Sequence, residues 1–107
     1  DGTAMYVMGG RGMDASGAAR FLNDVWASGD GVAWRLVTQR APWSPRWMHG
    51  LAVFQGSLWV VGGCGGGASC VASYADVWIG APGGATWDQS TAAASFGGRA
   101  GHATVVF

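Results

Sequence analysis

Short apolar runs alternate with glycine-rich turns along the whole chain. The runs at residues 25–26, 51–54, 58–61 and 105–107 are rich in β-branched and aromatic side chains, which favour strands. Turn signals separate them: QG at 55–56, GDG at 29–31 and PGG at 82–84. No window places apolar residues at a helical period. The pattern therefore predicts an all-β fold of short strands.

The pattern occurs twice. Four segments recur in the same order at an offset of 52 or 53 residues: MYVMGG (5–10) with LWVVGG (58–63), NDVW (23–26) with ADVW (75–78), VAWRLV (32–37) with ATWDQS (85–90), and RWMHGLAVF (46–54) with RAGHATVVF (99–107). Order and offset together indicate an internal repeat. A repeat near 50 residues with four strands is typical of a β-propeller blade.

The recurring residues resemble the Kelch family. They comprise a glycine pair after an apolar strand, two tryptophans, and an arginine and a histidine that open the next strand: Gly9, Gly10, Trp26, Trp34, Arg46 and His49, then Gly62, Gly63, Trp78, Trp87, Arg99 and His102. The resemblance implies blades of four antiparallel strands around a central channel. The turns SGDGVAW (28–34) and PGGATW (82–87) are also similar to the Asp-box of sialidase-type propellers. Neither copy of that box is complete, and both families imply the same fold class.

The strands are circularly offset along the chain. Lettered a to d from the Arg-x-x-His segment, they read b-c-d, a-b-c-d, a. This order predicts a first blade without its strand a (1–45), a second blade (46–98) and an orphan strand a (99–107). Because an unpaired strand edge invites strand addition, we expect the orphan strand to complete a blade of another copy or of an adjoining repeat in a longer chain. Copies joined head to tail would close a ring, with three chains and six blades preferred and four chains and eight blades as the alternative.

Charge is scarce. Charged residues make up 11% of the 107 residues and the formal net charge is zero, whereas soluble domains usually carry roughly 25%. Without a basic run, capture of nucleic acid or an anionic membrane is not expected. No apolar stretch approaches the roughly 18 residues of a membrane span. The 50% hydrophobic content predicts that another chain or domain covers part of the surface.

Cys64 and Cys70 are separated by five small residues, which leaves the sulfur atoms free to meet. A disulfide is the favoured interpretation, and it would favour a secreted or extracellular protein. Two reduced thiols are the alternative. Structural zinc needs four ligands and no others lie nearby in sequence, so no metal or cofactor is expected.

The segments between strands b and c, at 11–21 and 64–74, differ between the two copies while the strands agree, which is typical of recognition loops. Together with segment 40–47 they supply the candidates for binding a protein or a carbohydrate: Arg11, Asp14, Arg20, Trp43, Trp47 and Tyr74. For the two tryptophans, packing at a blade edge or between blades is favoured over stacking on a ligand. The repetition of the Arg and His positions favours a structural role, and a ring of histidines binding metal is a minor alternative.

No enzyme is predicted. Asp24 and Asp76 lie one blade apart, so they are interpreted as capping or arginine-bound carboxylates and not as an acid–base pair. The Kelch resemblance includes galactose oxidase, whose site needs two Tyr, two His and a Tyr–Cys crosslink. A sialidase site needs a Tyr/Glu pair, and this chain has no Glu. The predicted function is a non-enzymatic Kelch-like module for binding and assembly. The alternatives are a fragment of a larger secreted propeller enzyme of either kind, or a fragment engineered to study propeller assembly.

Overall fold

The computed structural model describes residues 4–66 and 70–105. Its regular structure is entirely β, in nine strands: β1 (Met5–Met13), β2 (Ala19–Ser28), β3 (Arg35–Thr38), β4 (Gly50–Phe54), β5 (Ser57–Val61), β6 (Cys64–Gly65), β7 (Ala72–Ser73), β8 (Val77–Gly80) and β9 (Trp87–Thr91). All strand pairs are antiparallel, so the all-β prediction is confirmed. Across these residues, no helix has the length and apolar character needed to cross a membrane.

The strands form two main sheets that repeat one another. The first has the order β1-β2-β3, the second has the order β4-β5-β8-β9, and β6 and β7 form a separate short hairpin. The sequence repeat relates β1 to β5, β2 to β8 and β3 to β9. The second sheet therefore has one additional strand, β4, which pairs with β5 from Gly50 opposite Val61 to Phe54 opposite Ser57. In the described part of the chain, the corresponding edge of β1 carries no strand.

A glycine pair occurs at the same place in both copies, within β1 and directly after β5. Gly9 and Gly10 have φ angles of 64° and 107°, and Gly62 and Gly63 repeat them at 64° and 103°. A side chain is strained at these angles, so the backbone requires glycine there. In the first sheet the ladder continues past the pair with a shift in register after Met8.

The hydrophobic core lies where the two sheets pack against each other. Val25 on β2 and both Leu58 and Val60 on β5 are buried in it. Trp43, from the connection between the sheets, meets Trp87 edge to face with ring centroids 5.6 Å apart. This arrangement places the connection 39–49 between the sheets, where its polar residues form a junction.

The segments expected to be loops are partly paired. β1 and β2 run on as one hairpin through segment 11–21, with Arg11 opposite Phe21, so only residues 14–18 form the turn. In segment 64–74, β6 and β7 pair likewise. The loop prediction was wrong at these places. In segment 11–21, the pairing of β1 with β2 carries on through residues of low strand propensity, and in segment 64–74 a separate short hairpin forms.

The strand expected near residues 101–107 is absent from residues 101–105, and residues 106–107 lie outside the described part. A strand needs a neighbour that pairs with it through a ladder of backbone hydrogen bonds, and no described strand pairs with this segment. Instead the Thr104 hydroxyl lies directly against the backbone of Gly50, at the start of β4. The segment thus runs next to the edge of the second sheet.

Candidate functional site

Arg46 forms the polar centre of the junction between the sheets. Its side chain is 0% exposed. The guanidinium donates to both carboxylate oxygens of Asp76, from Nη1 at 2.6 Å and from Nη2 at 3.0 Å, and Nη1 also donates to the Gly62 carbonyl at 3.0 Å. Trp78 Nε1 completes the group by donating to Asp76 at 2.8 Å. A bidentate pair of this kind compensates a buried guanidinium far better than a single contact does.

Aromatic rings enclose the same guanidinium. It lies 4.3 Å from the centroid of the Tyr74 ring and 5.9 Å from that of Trp43. Both distances are within the range of cation–π attraction. Tyr74, a candidate for ligand binding, is therefore engaged with Arg46. Trp43 is 1% exposed and its ring belongs to the core, so the favoured packing role describes it and its inclusion among the ligand-binding candidates is corrected.

The environment of Asp76 keeps its carboxyl ionised. Burial acts to raise the pKa, but the hydrogen bonds from Arg46 and Trp78 and the Arg46 charge lower it further, so the pKa of Asp76 lies below its usual value of 3.8. The ion pair therefore persists at every pH above that value. A carboxyl held in this way stabilises the junction and is not free to transfer protons.

His49 packs between the two glycine pairs. Its Nε2 lies 2.8 Å from the Met8 carbonyl oxygen. A Cβ built on Gly63 would come within 2.7 Å of His49 Cβ, and one built on Gly9 within 3.1 Å of His49 Cε1. Burial lowers the pKa of His49, with the Met8 bond opposing this effect. The described residues contain no group of three or more His, Cys, Asp or Glu side chains that could hold a metal ion.

A second cluster forms around Trp47, which is half-buried on the hairpin side of the molecule. Phe21 stacks on its ring at 6.2 Å with planes 18° apart, and the Arg11 guanidinium lies 5.6 Å from the ring centroid. Trp47 Nε1 lies 3.1 Å from Cys70 Sγ, and Cys70 is disulfide-bonded to Cys64. We call Arg11, Phe21, Trp47 and Cys70 the Trp47 surface. It joins the two segments that differ between the repeats.

The remaining candidates lie elsewhere. Asp14 accepts bonds from Ser16 N, Ser16 Oγ and Ala18 N at 2.6–3.0 Å, so its carboxylate stabilises the hairpin turn. The Ser16 hydroxyl bond and these amide bonds lower the pKa of Asp14. Arg20 is exposed and lines, with Asp24, a cleft of about 540 Å³ beside β2. Sequence reasoning missed Phe21, whose only signal was an aromatic residue in a segment that differs between the repeats.

The turn 28–34 bonds mainly to itself. Ser28 Oγ accepts from the amides of Asp30 and Gly31 at 3.3 and 2.8 Å, and Trp34 Nε1 donates to the Gly31 carbonyl at 3.3 Å. In the second copy Trp87 donates to Gly84 at 2.9 Å in the same way. These bonds fold the turn and hold the tryptophan ring against it.

Comparison with known proteins bears on the fold. No family model and no curated protein matches the chain. Among solved structures, the chain is similar to the structure of YjhT, with a TM-score of 0.71 and 23% sequence identity. The alignment covers 100% of this chain and 29% of the YjhT chain. The likeness shows that this chain shares the fold of a portion of YjhT.

Proposed function

We propose that the chain forms two adjacent blades of a Kelch-like β-propeller and acts as a non-enzymatic binding module that assembles with copies of itself. The observation that carries the proposal is the difference between the two sheets. They repeat one another in sequence and strand order, except that β4 is present beside β5 and has no described counterpart beside β1. A strand from another copy would complete the first blade.

A groove at the first sheet fits such a strand. It has a volume of about 220 Å³ and is lined by apolar side chains: Ala4, Tyr6, Met8, Leu51, Ala52 and Val53. On β1, Met5 and Val7 are also substantially exposed. An uncovered strand edge with apolar side chains favours addition of a further strand.

The repeat specifies the occupant and its register. Residues 103–105 correspond to 50–52 of β4, which pair with Val61, Val60 and Trp59 in descending order. Applied to the first sheet, this register places Ala103, Thr104 and Val105 of a second copy opposite Met8, Val7 and Tyr6. Head-to-tail repetition closes a ring, for which we favour three chains and six blades over four chains and eight.

The binding part of the proposal rests on the Trp47 surface. Stacked aromatic rings beside an arginine provide an apolar face with a positive edge, which suits a protein or carbohydrate ligand. A non-enzymatic role is supported by the use of Asp76, Asp14 and His49, because the two carboxylates and the Nε2 atom of His49 bond to the fold itself. Kelch-like assembly and ligand contact would therefore use different parts of the same blades.

The mass of the purified chain in solution tests the assembly. Native mass spectrometry with sedimentation equilibrium should give three copies, and four copies would replace the six-blade ring by the eight-blade one. A chain that remains a soluble monomer up to high micromolar concentration would contradict assembly between copies.

A glycine substitution tests the exchanged strand itself. Nothing lies within 4 Å of a Cβ built on Gly10, whereas its counterpart Gly63 meets His49 at 2.7 Å. If a second copy supplies the missing strand, that copy's His102 takes the place of His49, and the methyl group of Gly10→Ala blocks it.

The matched control is Gly17→Ala at the hairpin tip. Gly17 also has a positive φ, 85°, and open space around it, so it carries similar backbone strain without the junction. Gly10→Ala should dissociate at concentrations where Gly17→Ala and the unaltered chain stay assembled. Equal masses for the two variants would refute strand exchange at β1.

The coverage of YjhT favours a second candidate. Because the chain spans 29% of that protein's length, the strand beside β1 would then come from further blades of one longer polypeptide. A longer chain carrying additional repeats should in that case be monomeric, while the 107-residue chain alone should show no self-association.

A further inference from the structure

The Arg46 junction has an incomplete counterpart near the end of the chain. Arg99 lies 53 residues after Arg46 and follows Phe96 as Arg46 follows Trp43. Its guanidinium lies 5.4 Å from the Phe96 ring centroid and donates to the Phe96 carbonyl. Unlike Arg46, Arg99 is exposed, and among the described residues it forms no ion pair with a carboxylate.

The opposite half of the same junction is found on β2. Asp24 is the counterpart of Asp76, and Trp26 Nε1 donates to it at 3.0 Å, as Trp78 does to Asp76. The carboxylate is half-buried and opens on the cleft of about 540 Å³. Arg20 and Arg40 line that cleft too, yet within the described ranges neither forms an ion pair with Asp24.

An aromatic pair also has its two members at opposite ends of the molecule. Trp43 and Trp87 meet across the interior junction, and their counterparts are Phe96 and Trp34. Trp87 is 9% exposed, whereas Trp34 is 39% exposed. Thus one end of the molecule presents Arg99 with Phe96, and the other presents Asp24 with Trp34.

We infer that Arg99 and Asp24 are two halves of one intermolecular clasp, formed head to tail between copies of this chain. Arg99 of one copy donates both Nη groups to Asp24 of the next and reaches the Gly9 carbonyl, while Phe96 packs on Trp34. The inference rests on the proposed function, and it adds the residues that select the partner. A second copy is the occupant because the interior junction shows this same residue set already bonded within one chain.

The clasp should be strong because its ion pair becomes buried away from water when two copies associate. Arg46 is fully buried in the interior junction and the Asp76 side chain is 15% exposed. Removing one member of such a pair leaves a buried charge without a partner. We expect loss of either member to raise the dissociation constant between copies at least about 100-fold.

Two variants with matched controls measure this effect. Arg99→Met and Asp24→Asn each remove one charge at little change in volume, and Asn keeps an acceptor for Trp26. Arg35→Met and Asp14→Asn remove exposed charges of the same kind that have no counterpart in the clasp. Sedimentation equilibrium gives the dissociation constants, and far-UV circular dichroism checks that each variant is folded.

Mixing the two variants tests whether Arg99 of one copy meets Asp24 of another. Mixing would not restore assembly to variants that failed only because they were misfolded. The Asp24→Asn chain still has Arg99, and the Arg99→Met chain still has Asp24, so one mixed pair contains one complete clasp. Native mass spectrometry of an equimolar mixture should show mixed dimers well above the one-half share that random pairing gives. A statistical mixture would overturn the clasp.

The failures can be told apart. If the unaltered chain is monomeric, assembly and clasp are both wrong. If the unaltered chain assembles and Arg99→Met and Asp24→Asn have the same dissociation constants as their controls, the clasp is wrong and strand exchange stands.

Discussion

Arg46 is bonded to both sheets, through its backbone to Gly10 and Leu22 of the first sheet and through its side chain to the second. Its guanidinium is fully buried and reaches four acceptor oxygens, two on Asp76 and one each on Gly62 and Ser44. Each of these bonds compensates part of the cost of removing the charge from water. The same residue also contacts Tyr74 and Trp43, so polar and apolar packing are coupled at one point.

Truncation of this arginine should be severe. We expect Arg46→Met to lower the free energy of unfolding by about 3–5 kcal/mol, because Asp76 is left partly buried without its partner. Arg35→Met on the exposed face of β3 should change it by no more than about 0.5 kcal/mol. Urea denaturation followed by tryptophan fluorescence measures both. Similar losses for the two variants would show that the Asp76 contact contributes little.

The two shifted groups at the junction make stability depend on pH. The pKa of His49 is lowered from 6.5, mainly by burial, so the unfolded chain takes up its proton first as the pH falls. The contribution of His49 is complete above pH 6.5 and is lost as the pH falls towards the lowered value. The pKa of Asp76 is also lowered, so its contribution is complete above 3.8 and is lost below that pH.

Thermal midpoints measured from pH 8 to pH 5 should therefore fall below pH 6.5. In His49→Gln this fall should be smaller, because the neutral amide does not titrate. An identical pH profile for the variant and the unaltered chain would show that His49 does not cause this pH dependence.

At the scale of elements, the β6–β7 hairpin is closed by the Cys64–Cys70 disulfide, and Trp47 lies against it. Closing this short loop lowers the conformational entropy of the unfolded chain, which stabilises the folded state by about 2 kcal/mol. We expect a reducing agent to lower the thermal midpoint of the unaltered chain and to leave that of a Cys64→Ser/Cys70→Ser variant unchanged. A midpoint that ignores the reducing agent would contradict this role.

The elements themselves show what a local pattern can predict. The runs at 51–54 and 58–61 became β4 and β5 because their side chains favour strands and QG turns the chain between them. Segment 11–21 was expected to be a loop since it joins two strands and differs between the two copies. Its pairing as β1 and β2 is decided by register with the flanking strands.

For the whole molecule, assembly should appear as a link between stability and concentration. If copies exchange strands and form the clasp, mass action stabilises the folded state, and the thermal midpoint rises with protein concentration. Differential scanning calorimetry from about 5 to 500 µM tests this. Gly10→Ala should flatten the dependence, and Gly17→Ala should keep it. A concentration-independent midpoint for the unaltered chain would argue against self-association.

The sequence by itself determined the β character, the repeat and the places where glycine is required. Strand alternation, turn residues and a 53-residue offset are properties of neighbouring positions, which can be read along the chain. Only the tertiary structure decided which distant groups meet. Trp43 and Trp47 lie four residues apart in one segment, yet the first is buried in the core and the second faces Arg11 and Phe21. The physical reason is that burial depends on how the connection crosses between two sheets, and that path is set by their packing and by the bond from Arg46 to Asp76.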